Sequence, residues 1–130
     1  MLFMGIDAGT QGVRCAVVNE HGEVIAAKSA PFETLNVADV AEYCEQSPED
    51  WVRAAETAIV GCVRALREKG LSADRIRAIS IDGTSGTIVP LDANFAPLMN
   101  GIMYNDPRAK KEAAIVHAAM NAHEKKLGLR

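Results

Sequence analysis

The sequence has few cysteines, few aromatic residues and no long apolar run, and each shortage excludes a class of protein. Its three cysteines are odd in number and show no metal-ligand spacing, so we expect reduced thiols in the cytoplasm rather than a disulfide scaffold. No apolar run approaches the roughly 20 residues of a membrane helix, and the N-terminus lacks the charged flank and cleavage site of a signal peptide. A formal net charge of −3 argues against general nucleic-acid binding. We therefore expect neither nucleic acid nor a membrane as a partner.

The residues that are present have the composition of a small soluble domain. Of the 130 residues, 48% are hydrophobic and 24% are charged, which is ordinary for one globular unit. Apolar and β-branched segments predict strands over residues 2–6, 13–18, 23–29 and 75–82, with a turn at 19–22 that makes the second and third a hairpin. A short edge strand is predicted over 87–91, and residues 31–46 show no clean period.

Two helices are predicted, and with the strands they indicate an α/β fold in which helices cover a sheet. The first has Ser47 as N-cap, Pro48 in its first turn, Asp50 completing a capping box, and Gly70 as its stop. The second is expected to open at Asp106 and Pro107. The predicted apolar faces are Val52, Ala55, Ile59, Cys62, Val63 and Leu66 on the first helix, and Ala113, Val116, Ala119, Met120 and Leu127 on the second, which Gly128 follows.

A glycine turn joins the first two strands and carries the strongest functional signal. Residues 7–14 read Asp-Ala-Gly-Thr-Gln-Gly-Val-Arg. No lysine follows the glycines, which excludes a P-loop, and a strand rather than a helix follows them, which excludes the dinucleotide-binding fingerprint. Gly9 and Gly12 leave backbone N–H groups uncovered as a nest for an anion, and Thr10 and Gln11 add side-chain donors.

Asp7 fits beside an anion nest only if a cation stands between them. Mg²⁺ typically takes one or two carboxylates together with phosphate oxygens and water, and Arg14 supplies a fixed positive fork for a phosphoryl group. The motif therefore predicts a Mg-nucleotide site. The alternative is a hairpin of no chemical consequence, in which Asp7 only bonds to turn amides.

With three further segments, this motif resembles the FGGY carbohydrate kinases of the sugar kinase/Hsp70/actin superfamily, in particular pentulose kinases of the xylulokinase and ribulokinase type. The segments are residues 42–54 (EYCEQSPEDWVRA), 78–98 (AISIDGTSGTIVPLDANFAPL) and 102–109 (IMYNDPRA). The resemblance implies a ribonuclease-H-like (actin-like ATPase) N-terminal domain with a mixed sheet and flanking helices, left incomplete here. It also implies ATP-dependent, Mg²⁺-assisted phosphorylation of a sugar or polyol hydroxyl.

The resemblance also assigns site residues. Asp7 is expected to hold Mg²⁺ and Arg14 to act at the transferred phosphate, while the general base lies outside this chain. Residues expected at the nucleotide are Asp7, Gly9, Thr10, Gln11, Gly12 and Arg14, and those expected at the sugar are Asp82, Gly83, Thr84, Ser85, Tyr104, Asn105 and Asp106. For Asp82 and Asp106 the structural alternatives are a bond to the following turn and a helix N-cap.

Three departures from the family pattern bear on the substrate. Ser85 and Gly86 stand where glycerol kinases carry an Arg-Glu pair, so glycerol is not expected. Residues 84–86 differ from the Gln-Met-His of xylulokinases, and Tyr104 replaces the usual tryptophan. The loop therefore suits a polyol or ketose without naming one.

The resemblance covers residues 2 to about 110, and the implied enzyme is several times longer. We expect residues 1–130 to be the N-terminal portion of the first kinase domain, inactive alone, with the rest of that domain and the second domain absent. The implied partners are a small-molecule sugar or polyol, the remainder of the kinase polypeptide and, as an option, a second copy in a homodimer. Alternatives left open are an actin- or Hsp70-like ATPase without sugar kinase activity, and a regulatory fold that has lost catalysis.

Overall fold

A four-stranded sheet with one long helix on it forms the body of the molecule. The computed structural model describes residues 1–33, 35–36 and 43–127, without side chains for 35–36 and 121–127. The elements in chain order are β1 (Leu2–Gly9), β2 (Gly12–Asn19), β3 (Val24–Pro31), β4 (Leu35–Asn36), β5 (Cys44–Gln46), α1 (Pro48–Glu68), a 3₁₀ turn (Ala73–Arg75), β6 (Ile76–Gly83), β7 (Gly101–Ile102) and α2 (Lys110–Leu127).

The main sheet has the order β3-β2-β1-β6 and is mixed. β1 pairs antiparallel with β2, β2 pairs antiparallel with β3, and β6 runs parallel to β1. The four long strands predicted from the sequence are confirmed: β1, β2 and β3 are somewhat longer than expected, β6 has the expected length but starts one residue later, and the β2–β3 hairpin turns where predicted. The register of the parallel pair places Asp82 of β6 beside Asp7 of β1.

The core lies between this sheet and α1. Alternate residues of β1 and β2 are buried there: Leu2, Met4, Ile6, Val13, Cys15 and Val17. The helix covers them with an i, i+4 stripe of Ala54, Ala58, Cys62 and Leu66. The predicted face is therefore right at Cys62 and Leu66 but wrong at Val52, which is 60% exposed. Two alanines on the contact stripe let the helix axis approach the sheet closely, which bulkier residues would prevent.

The two ends of α1 differ in how well they follow the prediction. Ser47 is the N-cap residue, but its side chain makes no capping bond. Its carbonyl accepts the Asp50 and Trp51 N–H groups, while the Asp50 carboxylate pairs with Arg53 at 2.9 Å, so the predicted capping box is wrong. The C-terminal stop is confirmed, since Gly70 takes φ 70°.

The second helix starts later than predicted. α2 begins at Lys110 rather than at Asp106 and Pro107, because Asp106 is held by other partners described below. All residues from 111 to 120 are exposed, so the predicted apolar face of α2 is not buried by the described part of the chain. The side chain of Leu127 and the whole of Gly128 lie outside the described part.

A small second sheet, β4-β5-β7, lies beside the first. Its strands fall partly within residues 31–46, for which the sequence predicted no regular structure. The strand predicted over 87–91 is not formed, because only isolated bridges pair Ile88 with Ile102 and Leu91 with Pro97. This small sheet brings Gln46 close to the glycine turn, where its side chain bonds to Thr10.

The face of the main sheet opposite α1 is open in the described part of the chain. A groove of about 660 Å³ runs over it, lined among others by Gly5, Ala16, Ala27 and Ser80. β6 forms an edge of the sheet, and Ile79 and Ile81, which lie on the same face as the core residues Met4 and Ile6, are 60% and 72% exposed. Within residues 1–33, 35–36 and 43–127, no helix combines the length and apolar character needed to cross a lipid bilayer.

Candidate functional site

The glycine turn at the end of β1 and β2 depends on Gly12. Gly9 pairs with Gly12, which leaves Thr10 and Gln11 as the loop. Among the described residues, Phe95 is the only non-glycine with positive φ, so Thr10 and Gln11 keep ordinary backbone angles. Gly12 takes φ 151°, and a Cβ there would lie 2.5 Å from the Ala30 carbonyl oxygen. The chain can reverse in this way only with glycine at this position.

Gly9 has a different role in the turn. A Cβ added at Gly9 would meet Arg14 Nη1 at 3.4 Å and Asp7 Oδ1 at 3.8 Å, which is ordinary contact. The backbone therefore tolerates a side chain at this position. Because Gly9 has no side chain, a ligand has room to approach the backbone beside two charged groups.

Asp7 and Arg14 are cross-strand partners next to this turn. Arg14 Nη1 donates to Asp7 Oδ2 at 3.1 Å, and the side chains are 65% and 51% exposed respectively. An ion pair this exposed contributes about 0–1 kcal/mol to stability. The Asp7 carboxylate is thus open to the groove and forms only a weak ion pair with Arg14.

Asp82 adds a second carboxylate to the same place. It is the parallel-strand partner of Asp7, and strands in a sheet lie about 4.8 Å apart. Its Oδ1 accepts the Gly83 N–H at 2.8 Å, as the structural alternative predicted. Arg14, Asp7 and Asp82 all line the groove, where two neighbouring carboxylates lie beside one guanidinium.

This donor set fits Mg²⁺. The ion takes one or two carboxylates and completes its octahedron with phosphate oxygens and water. In the described ranges, no group of three or more His, Cys, Asp or Glu side chains is placed to hold a metal ion. Two carboxylates beside a turn that is predicted to bind an anion are therefore suited to a metal that arrives with a phosphate, and not to a metal caged by protein ligands alone.

The loop that follows β6 is tied to the end of β1. Thr84 donates to the Ala8 carbonyl from its backbone N–H at 3.2 Å and from Oγ1 at 3.3 Å. Ser85 is exposed. Gly86 has φ 79° and lies against Tyr104, because a Cβ added at Gly86 would be 3.2 Å from the Cβ of Tyr104. A side cavity of about 230 Å³ lies here, lined by Ala8, Gly9, Gln46, Trp51, Gly83, Thr84, Thr87, Val89 and Met103.

The residues expected at the sugar thus come from two segments that meet. Gly83, Thr84 and Ser85 lie in the loop after β6, and Tyr104 and Asn105 follow β7 and are exposed. Tyr104 is 57% exposed. The structure brings these groups near the glycine turn through the Thr84 and Gly86 contacts, while their roles at a substrate stay predictions.

Asp106 is held by protein donors. Its side chain is 1% exposed, and Arg108 binds it through Nε to Oδ1 and Nη2 to Oδ2, both at 2.8 Å. The Cys44 N–H donates to Oδ2 at 2.8 Å as well. The hydrogen bonds from Arg108 hold the pKa of this carboxyl well below its usual range. The N-cap alternative for Asp106 is wrong because α2 begins at Lys110, and its predicted contact with a sugar has no free carboxylate oxygen to support it.

Arg108 extends this cluster to the small sheet. Its Nη2 also donates to Glu45 Oε1 at 2.7 Å, and its guanidinium lies 4.4 Å from the centre of the Tyr43 ring. The carboxylates of Asp106 and Glu45 raise the pKa of Arg108 above its already high value. The cluster fastens β5 to the segment after β7. Sequence reasoning gave neither Arg108 nor Gln46 a role, although both lie inside segments that carry the family resemblance.

Comparison with known proteins relates this chain to a family of kinases. Residues 2–128 match the model for the FGGY family of carbohydrate kinases, N-terminal domain. The chain is 34% identical over 117 residues to the xylulose kinase of Escherichia coli (strain K12), an alignment that covers 90% of this chain and 23% of that protein. It is 35% identical over 105 residues to the xylulose kinase of Bacillus subtilis (strain 168), which covers 81% of this chain and 20% of that protein.

A solved structure shows the same fold. A kinase from Brucella ovis, described as a xyloylose kinase, superposes with a TM-score of 0.82 and 28% identity over 93% of this chain and 24% of that chain. The mixed sheet with its flanking helices is therefore the N-terminal part of the actin-like ATPase fold of such kinases. The chain spans less than a quarter of the length of the relatives and the solved kinase that it matches.

Proposed function

This chain belongs to the FGGY family of carbohydrate kinases, and on that premise we propose that the protein containing it transfers the γ-phosphoryl group of ATP to a hydroxyl of a sugar or polyol. A pentulose such as xylulose or ribulose is the substrate class that we propose first. The observation that carries the proposal is the open Asp7 carboxylate, which lies between Arg14 and Asp82 near the end of the strand that enters the glycine turn. A purely structural aspartate at this position would be expected to be buried in its own loop.

The turn would bind the phosphates of the nucleotide. Its backbone N–H groups form the nest, and Gly9 leaves the space for close approach. Asp7 would hold Mg²⁺, with Asp82 beside it. When bound, the ion neutralises charge on the phosphate oxygens during transfer. Arg14 is weakly paired in the present structure, so a phosphate can compete for its guanidinium.

The sugar would lie on the side of Thr84, Ser85, Tyr104 and Asn105. Hydroxyl and amide groups on two converging segments can hydrogen-bond a polyhydroxylated ligand. The proton acceptor for the reacting hydroxyl is proposed to come from outside this chain. We further propose that residues 1–130 form the N-terminal portion of the first kinase domain and are inactive alone.

The test is a substrate screen on the polypeptide that contains this chain. Thermal shift with Mg-nucleotide and a panel of ketoses and polyols should single out one sugar, since a ligand present at 100 times its dissociation constant stabilises the native state by about 2.7 kcal/mol. That sugar should also be converted to its phosphate, detected by mass spectrometry. Hydrolysis of ATP that no sugar alters, with no sugar phosphate formed, would contradict the proposal and favour an actin- or Hsp70-like ATPase.

A further inference from the structure

A buried glutamine lies directly beneath the glycine turn. Gln46, at the end of β5, is 1% exposed. Its Nε2 donates to the Thr10 carbonyl at 2.7 Å, and its Oε1 accepts the Trp51 indole N–H at 2.8 Å. We propose that Gln46 is a positioning residue that sets the direction of the backbone donors in the turn. This inference takes only the identity of the ligand, a nucleotide phosphate, from the proposed function.

The orientation of the Gln46 amide follows from its contacts with Thr10 and Trp51. The indole N–H of Trp51 can only donate, so it must face the amide oxygen, and the Thr10 carbonyl can only accept, so it must face the amide nitrogen. A flipped amide would set donor against donor and acceptor against acceptor. Each partner alone requires the same orientation, in which the amide nitrogen points at the turn.

The bond to Thr10 determines where the next donor points. No described peptide bond is cis, and in a trans peptide the carbonyl and the following N–H point in opposite directions. Since the Thr10 carbonyl is directed inward to Gln46, the Gln11 N–H is directed away from it. The Gln11 carbonyl accepts the Phe32 N–H at 3.3 Å, which fixes the next peptide as well.

The two carbonyls of the loop are thus held by protein donors. A carbonyl that rotated toward the ligand would place its partial negative charge against a phosphate, and it would withdraw an N–H from the nest. Gln46 opposes that rotation at the first of the two peptides. Its effect should therefore fall on binding of the nucleotide and should not extend to binding of the sugar.

Kinetics of the full polypeptide that contains this chain can test this. Gln46→Met keeps a similar volume and removes the side-chain hydrogen bonds to Thr10 and Trp51. Its KM for MgATP should rise on the order of tenfold, the effect of one impaired phosphate hydrogen bond, while the KM for the sugar and kcat should each change less than about threefold. Trp51→Phe is the matched control, because it removes the indole donor and some packing but keeps the Gln46–Thr10 bond.

A spectroscopic measurement separates positioning from simple loss of stability. In the nucleotide-free protein, the backbone amide resonances of Gln11 and Gly12 should shift in Gln46→Met and stay near their wild-type positions in Trp51→Phe. If Gln46→Met does not fold, Gln46→Asn, which is one methylene too short to span both partners, should show the same KM pattern with a smaller change.

The outcomes distinguish this proposal from the proposed function. A wild-type protein that neither binds MgATP nor phosphorylates any sugar overturns the proposed function, and with it the ligand assigned to this turn. The role of Gln46 alone is overturned if the wild-type protein binds MgATP and Gln46→Met behaves like it. In that case the KM of the variant for MgATP lies within twofold of the wild-type KM, and the resonances of Gln11 and Gly12 do not move. If the KM for MgATP and the KM for the sugar rose equally, the effect of Gln46 would be a general structural one, and that result would also overturn the positioning role.

Discussion

Replacing Gly12 with alanine should destabilise the protein more than any other glycine-to-alanine change in the two hairpins. The new Cβ would lie 2.5 Å from the Ala30 carbonyl oxygen and 2.8 Å from Pro31 Cα, in a backbone conformation with φ 151°. A non-glycine residue in a disfavoured backbone region costs about 1–3 kcal/mol. Overpacking that moves neighbouring backbone costs about 1–3 kcal/mol more. The expected loss is therefore about 2–6 kcal/mol in the free energy of unfolding.

Two other glycines provide matched controls for this prediction. Gly22 has φ 80° with nothing within 4 Å, and Gly5 has open space and no positive φ. Gly22→Ala should cost about 1–2 kcal/mol from conformation alone, and Gly5→Ala should be neutral or stabilising by less than about 1 kcal/mol.

Urea denaturation followed by circular dichroism measures the three changes. With a slope of roughly 1.5 kcal/mol per molar urea, Gly12→Ala should lower the midpoint by at least about 1.3 M. A Gly12→Ala midpoint no lower than that of Gly22→Ala would refute the reasoning, because the close approach to β3 would then have no energetic consequence.

Three further changes test other parts of the structure. Asp106→Asn should lower stability at neutral pH and should make stability fall less steeply in acid. The reason is that a carboxyl whose pKa is held down by Arg108 stabilises the fold above its unfolded pKa of about 3.9 and loses that contribution as pH falls through the lowered value. If the urea midpoint of the variant depended on pH between 2.5 and 7 as steeply as that of the wild type, the result would argue against the cluster. Burial raises the pKa of the Cys15 thiol to about 12, so a thiol reagent at pH 8 should modify the half-buried Cys44 well before Cys15, and equal rates in the native protein would contradict this. Gly101→Ala would place a Cβ 2.3 Å from Trp51 Cη2, so the fluorescence of this single tryptophan should shift to the red as the indole moves toward water, and an unchanged spectrum would mean that the contact is not close.

Local patterns in the sequence were enough to predict the hairpins and the turn. Short β-branched strands around the turn at Asn19 and around the glycines specify antiparallel pairing between neighbours in the chain. That register alone brings Asp7 and Arg14 together as cross-strand partners. The stop of α1 at Gly70 is equally local, since only glycine takes its conformation without strain.

Features that depend on distant pairing were not predictable in the same way. Asp82 lies beside Asp7 only because β6 adds to β1 in one parallel register, across more than 70 residues of chain. The start of α2 was misplaced because Asp106 has a stronger partner in Arg108 than the helix N-terminus offers. Similarly, Val52 was expected in the core, but the sheet selects the alanine stripe of α1 for its close approach.

Asp7→Asn tests the central claim most directly, with ATP titrated by calorimetry into the full polypeptide in the presence of Mg²⁺ or of a chelator. The exposed pair with Arg14 is worth about 0–1 kcal/mol, so the variant should fold normally. Asp50→Asn is the control, because Asp50 forms a comparable ion pair with Arg53 on α1. The wild type and the control should bind ATP more tightly with Mg²⁺ than without it, and Asp7→Asn should lose that difference. An undiminished effect of Mg²⁺ in Asp7→Asn would contradict the assignment of the metal to this carboxylate.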